Sequence, residues 1–218
     1  MDFASALNDV LPADLPHRDN VILKSAQHLA LIVEANQVLN LTRITTPREA
    51  AIKHVLDSVI PWRLFAGAKH VLDAGTGPGF PGIPLALVLP EIQFILAESI
   101  QKKARFAESA LAVLDLPNVT VAAQRAEDIL KRQKFEIVTA RAFAPISKAL
   151  DLLKGSRLIL YKGPFVEREI SEVRKPHASI KVVMRYDLPG QMGARTIVEI
   201  TGLPLKHYSP LDTNSRSS

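Results

Sequence analysis

The stretch VLDAGTGPGFPG, from Val71 to Gly82, restricts what this chain can fold into more than any other. Val71 and Leu72 read as the end of a buried strand that finishes in Asp73. Four glycines and two prolines crowd the next nine residues, and Ile83 to Leu89 then read as a helix. A strand that meets a Gly-rich turn opening directly into a helix suits a nucleotide-type ligand. Glycine lets the backbone come close to the ligand, and the start of the helix offers free N–H groups.

The surrounding pattern agrees. HVLDAG, IQFILAES, VTVAA, FEIVTAR and RLILYKG are short apolar runs, separated by helical stretches at 83–89, 102–114, 127–130 and 146–153. Such alternation predicts a mostly parallel sheet with helices on both faces, a Rossmann-like α/β fold. The last two strands, IKVVMRYDLP and ARTIVEI, are joined by GQMG alone. That link is too short for a helical crossover, so this pair is expected to be antiparallel. Residues 21–60 read as helical. One helix is expected from about Ser25 to Leu39. A second is capped by Thr46 with Pro47 at its first position and Glu49 completing a capping box, and Pro61 stops it. The expected organisation is one domain, 1–203, with an N-terminal helical part (1–66) before the core (67–203) and a disordered tail at 204–218.

Composition narrows the function. The 218 residues include no cysteine, which excludes disulfides, thiolate metal sites and a cysteine nucleophile. The N-terminus lacks the pattern of a signal peptide, and no apolar run is long enough to span a membrane. A cytoplasmic protein without a membrane partner is therefore expected. Lys and Arg (27) exceed Asp and Glu (22), for a net charge of +5, which leans toward a polyanionic partner. The six histidines show no ligand spacing, so no metal is expected.

The glycine spacing separates two kinds of nucleotide site. Gly75, Gly77 and Gly79 read G-x-G-x-G, whereas a dinucleotide fingerprint needs G-x-G-x-x-G. Glu98, at the tip of the second strand, is placed to accept two hydrogen bonds from a ribose diol. Asp73 either orders the glycine turn or approaches the ligand. Arg141 ends the fourth strand, at the edge of a parallel sheet where ligands bind, and an unpaired charge in so apolar a run is improbable. It faces a ligand or pairs with an acid. His54, Asp57 and Ser58 superficially offer a hydrolytic triad, but as neighbours on one helix with no nucleophile elbow in the chain they read as a helix face. Lys102, Lys103 and Arg105 read as an ordinary polar face. A dinucleotide-dependent oxidoreductase and a methyltransferase of small molecules stay open as alternatives.

VLDAGTGPG followed by an acid-tipped second strand resembles the class I S-adenosylmethionine-dependent methyltransferases, whose seven-stranded sheet has an antiparallel last strand. NLTRI, KHVLDS, DAGTGPGFPGIPLAL, RAFAP, YKG and GARTIVEI, in that order, resemble the ribosomal RNA small subunit methyltransferase G family (glucose-inhibited division protein B) across roughly Asn40 to Ile200. The resemblance implies an enzyme that uses S-adenosyl-L-methionine to methylate N7 of one guanine in 16S rRNA of the small ribosomal subunit, working as a monomer. It further implies cofactor contacts from Asp73, Gly75, Gly77, Gly79, Phe80, Glu98, Ala126, Glu127 and Arg141. Arg141 would also serve catalysis, and Arg125, Lys162 and Arg195 would contact RNA. Phe80 departs from the leucine expected there, and Glu98 from the more common aspartate.

The chemistry is compatible. Guanine N7 carries an in-plane lone pair and needs no deprotonation, so its methylation requires positioning rather than a base or nucleophile. The chain has no cysteine for attack on a pyrimidine carbon, and it has ARAFAP where exocyclic-amine enzymes often carry Asn/Asp-Pro-Pro-aromatic.

Overall fold

The computed structural model describes residues 2–153, 156–174 and 177–202. The tail expected at 204–218 lies outside them. Seven strands form one sheet in the order β3-β2-β1-β4-β5-β7-β6: β1 His70–Ala74, β2 Gln93–Ala97, β3 Val119–Ala122, β4 Ile137–Arg141, β5 Arg157–Lys162, β6 Ser179–Asp187 and β7 Ala194–Thr201. Strands β1 to β5 pair in parallel, and β7 runs antiparallel between β5 and β6. The expected final hairpin is therefore present, and its second strand is the one inserted next to the parallel core. The order reverses between β1 and β4, so a crevice opens beyond their C-terminal ends.

Strand alternation divides the core in two. Val71, Phe94, Leu96, Ile137, Ile159 and Tyr161 join one cluster, and Leu72, Ala74, Ala97, Val138, Ala140, Leu158 and Leu160 join the other. The first face is covered by α5 (Gly82–Val88) and α6 (Gln101–Leu114), and also by the helices before β1. Those are α1 (Phe3–Val10), α2 (Arg18–Leu39), and a continuous run of α3 (Pro47–Ala50), a π-helical segment (Ala51–Leu56) and α4 (Asp57–Val59). Phe3, Leu7, Leu29, Ile32, Val55 and Val59 are buried in the same cluster as the strand residues, so these helices complete the core. The second face carries α7 (Ala126–Ile129), α8 (Ile146–Leu152) and α9 (Val166–Ser171).

Three local expectations need correction. Helix α2 begins at Arg18, about two turns before Ser25. Helices α1 and α9 were not anticipated: each is short, and only Phe3 and Leu7, or Val166, are buried, which is too few points to reveal a period. Thr46 sits at the N-cap of α3 but makes no side-chain capping bond. Glu49 instead pairs with Lys53, 2.7 Å away. Pro47 at the first position lowers the need for a cap, since it has no N–H to satisfy.

Two buried polar groups fix elements that sequence patterning leaves free. Asn118, just before β3, donates through Nδ2 to the carbonyls of Ala86 (3.1 Å) and Ile92 (3.1 Å), closing the C-terminal end of α5 and the start of β2. His28 of α2 reaches the glycine turn, with Nε2 2.8 Å from the carbonyl oxygen of Pro78. Burial lowers its pKa to about 4, so it stays neutral at neutral pH. No helix among the described residues is long and apolar enough to cross a membrane.

The Asn118 arrangement gives a direct expectation. Asn118→Ala leaves two buried carbonyls without a donor and destabilises the fold by about 1–3 kcal/mol. Urea titration reads this as a lower midpoint at unchanged slope.

Candidate active site

Sheet topology places the ends of β1, β2 and β4 around one crevice, and the glycine turn forms its floor. Asp73, the last-but-one residue of β1, has its side chain on the face covered by α5 and is fully buried. Its Oδ2 accepts from the Thr76 hydroxyl (2.6 Å) and the Gly82 N–H (2.9 Å). One carboxylate oxygen thus ties strand, turn and helix together. The other, Oδ1, is buried without a partner. Burial raises the Asp73 pKa to about 6, against the opposing pull of the Thr76 and Gly82 bonds and of Arg141.

The three glycines do different work. Gly75 has φ +71°, and its N–H, like that of Thr76, donates to the Ala97 carbonyl, stitching the turn to β2. A Cβ on Gly75 would lie 3.1 Å from the Phe143 ring. Gly77 donates to Glu98 Oε2 at 3.1 Å and has open space beside it. Gly79 faces inward instead, where a Cβ would collide with Ile83 and crowd His28. Packing is enough to require glycine there.

Two clefts open along this edge. The first, about 190 Å³, is lined by Gly75, Ala97, Ser99, Ala126, Glu127 and Phe143 among others. Glu98 lies between two of these residues, 6% exposed, with Oε2 bonded to Gly77 and Oε1 accepting from the Ile100 N–H (2.8 Å). Arg125 belongs to this cleft; its side chain is 69% exposed and sits 3.7 Å from Glu127. The second cleft, about 360 Å³, is lined by Ile44, Lys53, His54, Asp57, Arg141, Tyr161, Lys162 and Arg195 among others. So Lys162 and Arg195 meet Arg141, and Arg125 does not join them.

The wall between the clefts is the end of β4. Arg141 and Ala142 line the second cleft, and the next two residues, Phe143 and Ala144, line the first. Ala142 makes this division possible with φ +51°, a left-handed backbone that costs a non-glycine residue about 1 kcal/mol.

Asp57 organises the second cleft. It is 1% exposed, and its Oδ2 lies 3.3 Å from both Arg141 Nη1 and Arg195 Nε. The Tyr186 hydroxyl donates to Oδ1 at 3.0 Å. Arg141 Nη1 also donates to the Lys53 carbonyl (2.9 Å) in the π-helical segment. Arg141 thus pairs with an acid, one of its two readings, and it also lines a cleft. Lys162 is similarly braced, 2.7 Å from Glu169 and donating to the Ala144 carbonyl at 2.8 Å. Phe80 lines neither cleft. Its ring stacks on His54 (4.6 Å between centroids) and packs against His28 (5.0 Å), with the Arg141 guanidinium 5.4 Å above it. It is a buried platform for Arg141.

The histidine that lines the second cleft is held neutral. Burial, helped by Arg141, lowers the His54 pKa to about 3. Its Nε2 shares a 3.1 Å hydrogen bond with Thr42, whose hydroxyl also accepts from Ile44. Burial pushes the phenols of Tyr161 and Tyr186 well up, with Asp57 adding to both. Among the described residues no group of His, Asp and Glu is placed to hold a metal ion.

Sequence reasoning missed Asp57, Lys53, Glu169 and Phe143. The acid of KHVLDS was visible, but nothing in the chain says that its partner arginines lie 84 and 138 residues away.

Comparison with known proteins agrees with this architecture. An O-methyltransferase, TomG, from Streptomyces achromogenes, solved in complex with SAM, superposes with a TM-score of 0.53 at 18% identity, covering 81% of this chain and 90% of that one. A putative O-methyltransferase from Klebsiella pneumoniae gives 0.55 at 16% identity, covering 92% and 95%. At such identities the likeness concerns the fold. Sequence relatives are much nearer. The ribosomal RNA small subunit methyltransferase G of Solibacter usitatus is 61% identical over 209 residues, 92% of this chain and all of the relative. Its namesake from Psychromonas ingrahamii is 34% identical, over 80% of this chain and 86% of the relative. The family model described as rRNA small subunit methyltransferase G matches residues 22–195, and the chain belongs to that family.

Proposed function

We propose that this chain transfers a methyl group from S-adenosylmethionine to N7 of a guanine in 16S rRNA of the small ribosomal subunit. The observation that carries this reading is the pair of clefts divided by the end of β4. One is small-residue-lined and acid-flanked, and the other gathers Lys53, Arg141, Lys162 and Arg195 beside a neutral histidine.

The residues of the first cleft fit the cofactor. Gly75, Ala97 and Ala126 leave room for close approach, and Glu98 and Glu127 offer acceptors at its edge. The unpartnered Oδ1 of Asp73 supplies buried negative potential beneath the turn, which favours a cationic ligand. When bound, S-adenosylmethionine supplies an electrophilic methyl group on a sulfonium.

The chain's own contribution is to position the acceptor. Arg141, held by Asp57 and the Lys53 carbonyl, presents a fixed guanidinium to the second cleft, and Arg195 shares the same carboxylate. Arginine donates to guanine O6 and to phosphate oxygens, contacts that leave the N7 lone pair free, so a braced pair can orient base and backbone together. Preorganised donors lose little entropy on binding, and orientation supplies much of such a reaction's acceleration. N7 needs no base, which matches a cleft whose histidine is held neutral and whose phenols stay protonated. The major groove of an A-form helix hides N7, so the target guanine must be unstacked or in a loop.

The deciding experiment incubates the protein with methyl-labelled S-adenosylmethionine and unmodified small subunits, beside naked 16S rRNA and large subunits. Label recovered as 7-methylguanosine from the small subunit or its rRNA alone is expected. Label in another nucleoside, or in neither small-subunit substrate, overturns the reading. Two further expectations concern the site. Cofactor affinity falls as pH drops through about 6, because Asp73 there takes up a proton and its attraction for a cation is lost. Asp73→Asn, which keeps an acceptor for Thr76 and Gly82, flattens that dependence in calorimetric titrations. Ala142→Gly removes the left-handed strain, raises stability by up to about 1 kcal/mol and lowers kcat by loosening the wall between the clefts. Thermal unfolding and steady-state kinetics measure the two effects separately.

A further inference from the structure

Phe165 is 85% exposed, the most exposed phenylalanine or leucine among the described large hydrophobic residues. Its position is constrained on both sides. Lys162, three residues before, is fastened to Ala144 and Glu169. Val166, the next residue, is 1% exposed in the core of the second face. Pro164 stiffens the link between them. Phe165 is therefore the N-cap of α9, held out into solvent by a pinned backbone.

The same short segment borders the basic cleft. Lys162 and Gly163 line it directly, and so does Glu169, one helical turn beyond Phe165. An exposed aromatic residue is thus carried two positions beyond Gly163, on the segment that borders a cleft holding Lys53, Arg141, Lys162 and Arg195. Aromatic rings beside a basic groove are the means by which proteins hold unpaired bases, because every base has a π-face to stack. An unstacked guanine also leaves its neighbour with one uncovered face. A ring on this segment can cover it.

We propose that Phe165 stacks on an unpaired rRNA base next to the target guanine and thereby holds the substrate loop open over the cleft. This inference rests on the rRNA reading above, and its test separates the two. In the methylation assay at fixed salt, Phe165→Ala should raise KM for small-subunit rRNA about 5- to 100-fold, the range of one lost base–aromatic stack. The kcat and the cofactor dissociation constant should stay within twofold. Phe165→Tyr should restore KM, and Phe165→Leu should not.

A second readout is independent of turnover. In a Trp62→Phe background, Phe165→Trp places a lone indole on this segment, and protein-free small-subunit rRNA should quench its fluorescence saturably. An unchanged KM for Phe165→Ala, or rescue by leucine, overturns the proposal; leucine rescue would indicate apolar contact with a protein. The absence of quenching overturns it as well. Quenching in a protein that methylates no rRNA would leave the stacking role standing and remove the assigned reaction.

Discussion

A single buried carboxylate oxygen carries the architecture of the ligand edge. Asp73 Oδ2 holds the Thr76 hydroxyl and the Gly82 N–H, so the end of β1, the glycine turn and the first residue of α5 converge on one atom. Burying a carboxylate is costly, and its raised pKa measures that cost. The fold tolerates it because the two bonds fix a turn in which Gly75, Gly77 and Gly79 all take positive φ. Without that anchor the turn would keep its backbone bonds to Ala97 but lose its side-chain tie to the end of β1. Gly77 is secured from the other side by Glu98, so two acids clasp the turn between β1 and β2.

Asp57 plays the corresponding part for the second cleft, at a larger scale. It draws together α4, the end of β4 and both strands of the final hairpin through Arg141, Arg195 and Tyr186. A buried charge pair adds little net stability, but losing one partner leaves the others uncompensated. The triangle therefore fixes geometry more than it adds energy. Phe80 supports it from below, stacked on His54 and packed against His28, two histidines that burial keeps neutral. The aromatic that departs from the expected leucine thus supports Arg141 and lines neither cleft.

What the sequence made legible follows from range. All seven strands, the antiparallel hairpin and the glycine turn are encoded by residues within a few positions of one another, and each was readable. Glu98, Ala126 and Glu127 fall at or beside the first cleft for the same reason: strand ends fix them. The second cleft depends on pairings across the whole chain, and no local pattern announces that Asp57 meets Arg195. Gly79 shows a second kind of limit. Its place in the motif suggested ligand contact, and the structure supplies a packing reason, in Ile83 and His28, that spacing alone does not reveal. Arg125 similarly looked like one of a basic set, but it follows β3 into the first cleft, apart from Lys162 and Arg195.

Strand β7 lies between β5 and β6, and it is the last of the seven in the chain. It brings Arg195, and its hairpin partner brings Tyr186, to an acid from the first third of the sequence. Every residue lining the first cleft precedes both of these groups in the chain, so the second cleft is the later of the two to receive its parts. A chain cut short before the final hairpin would keep the groups of the first cleft and lose Tyr186 and Arg195 from around Asp57.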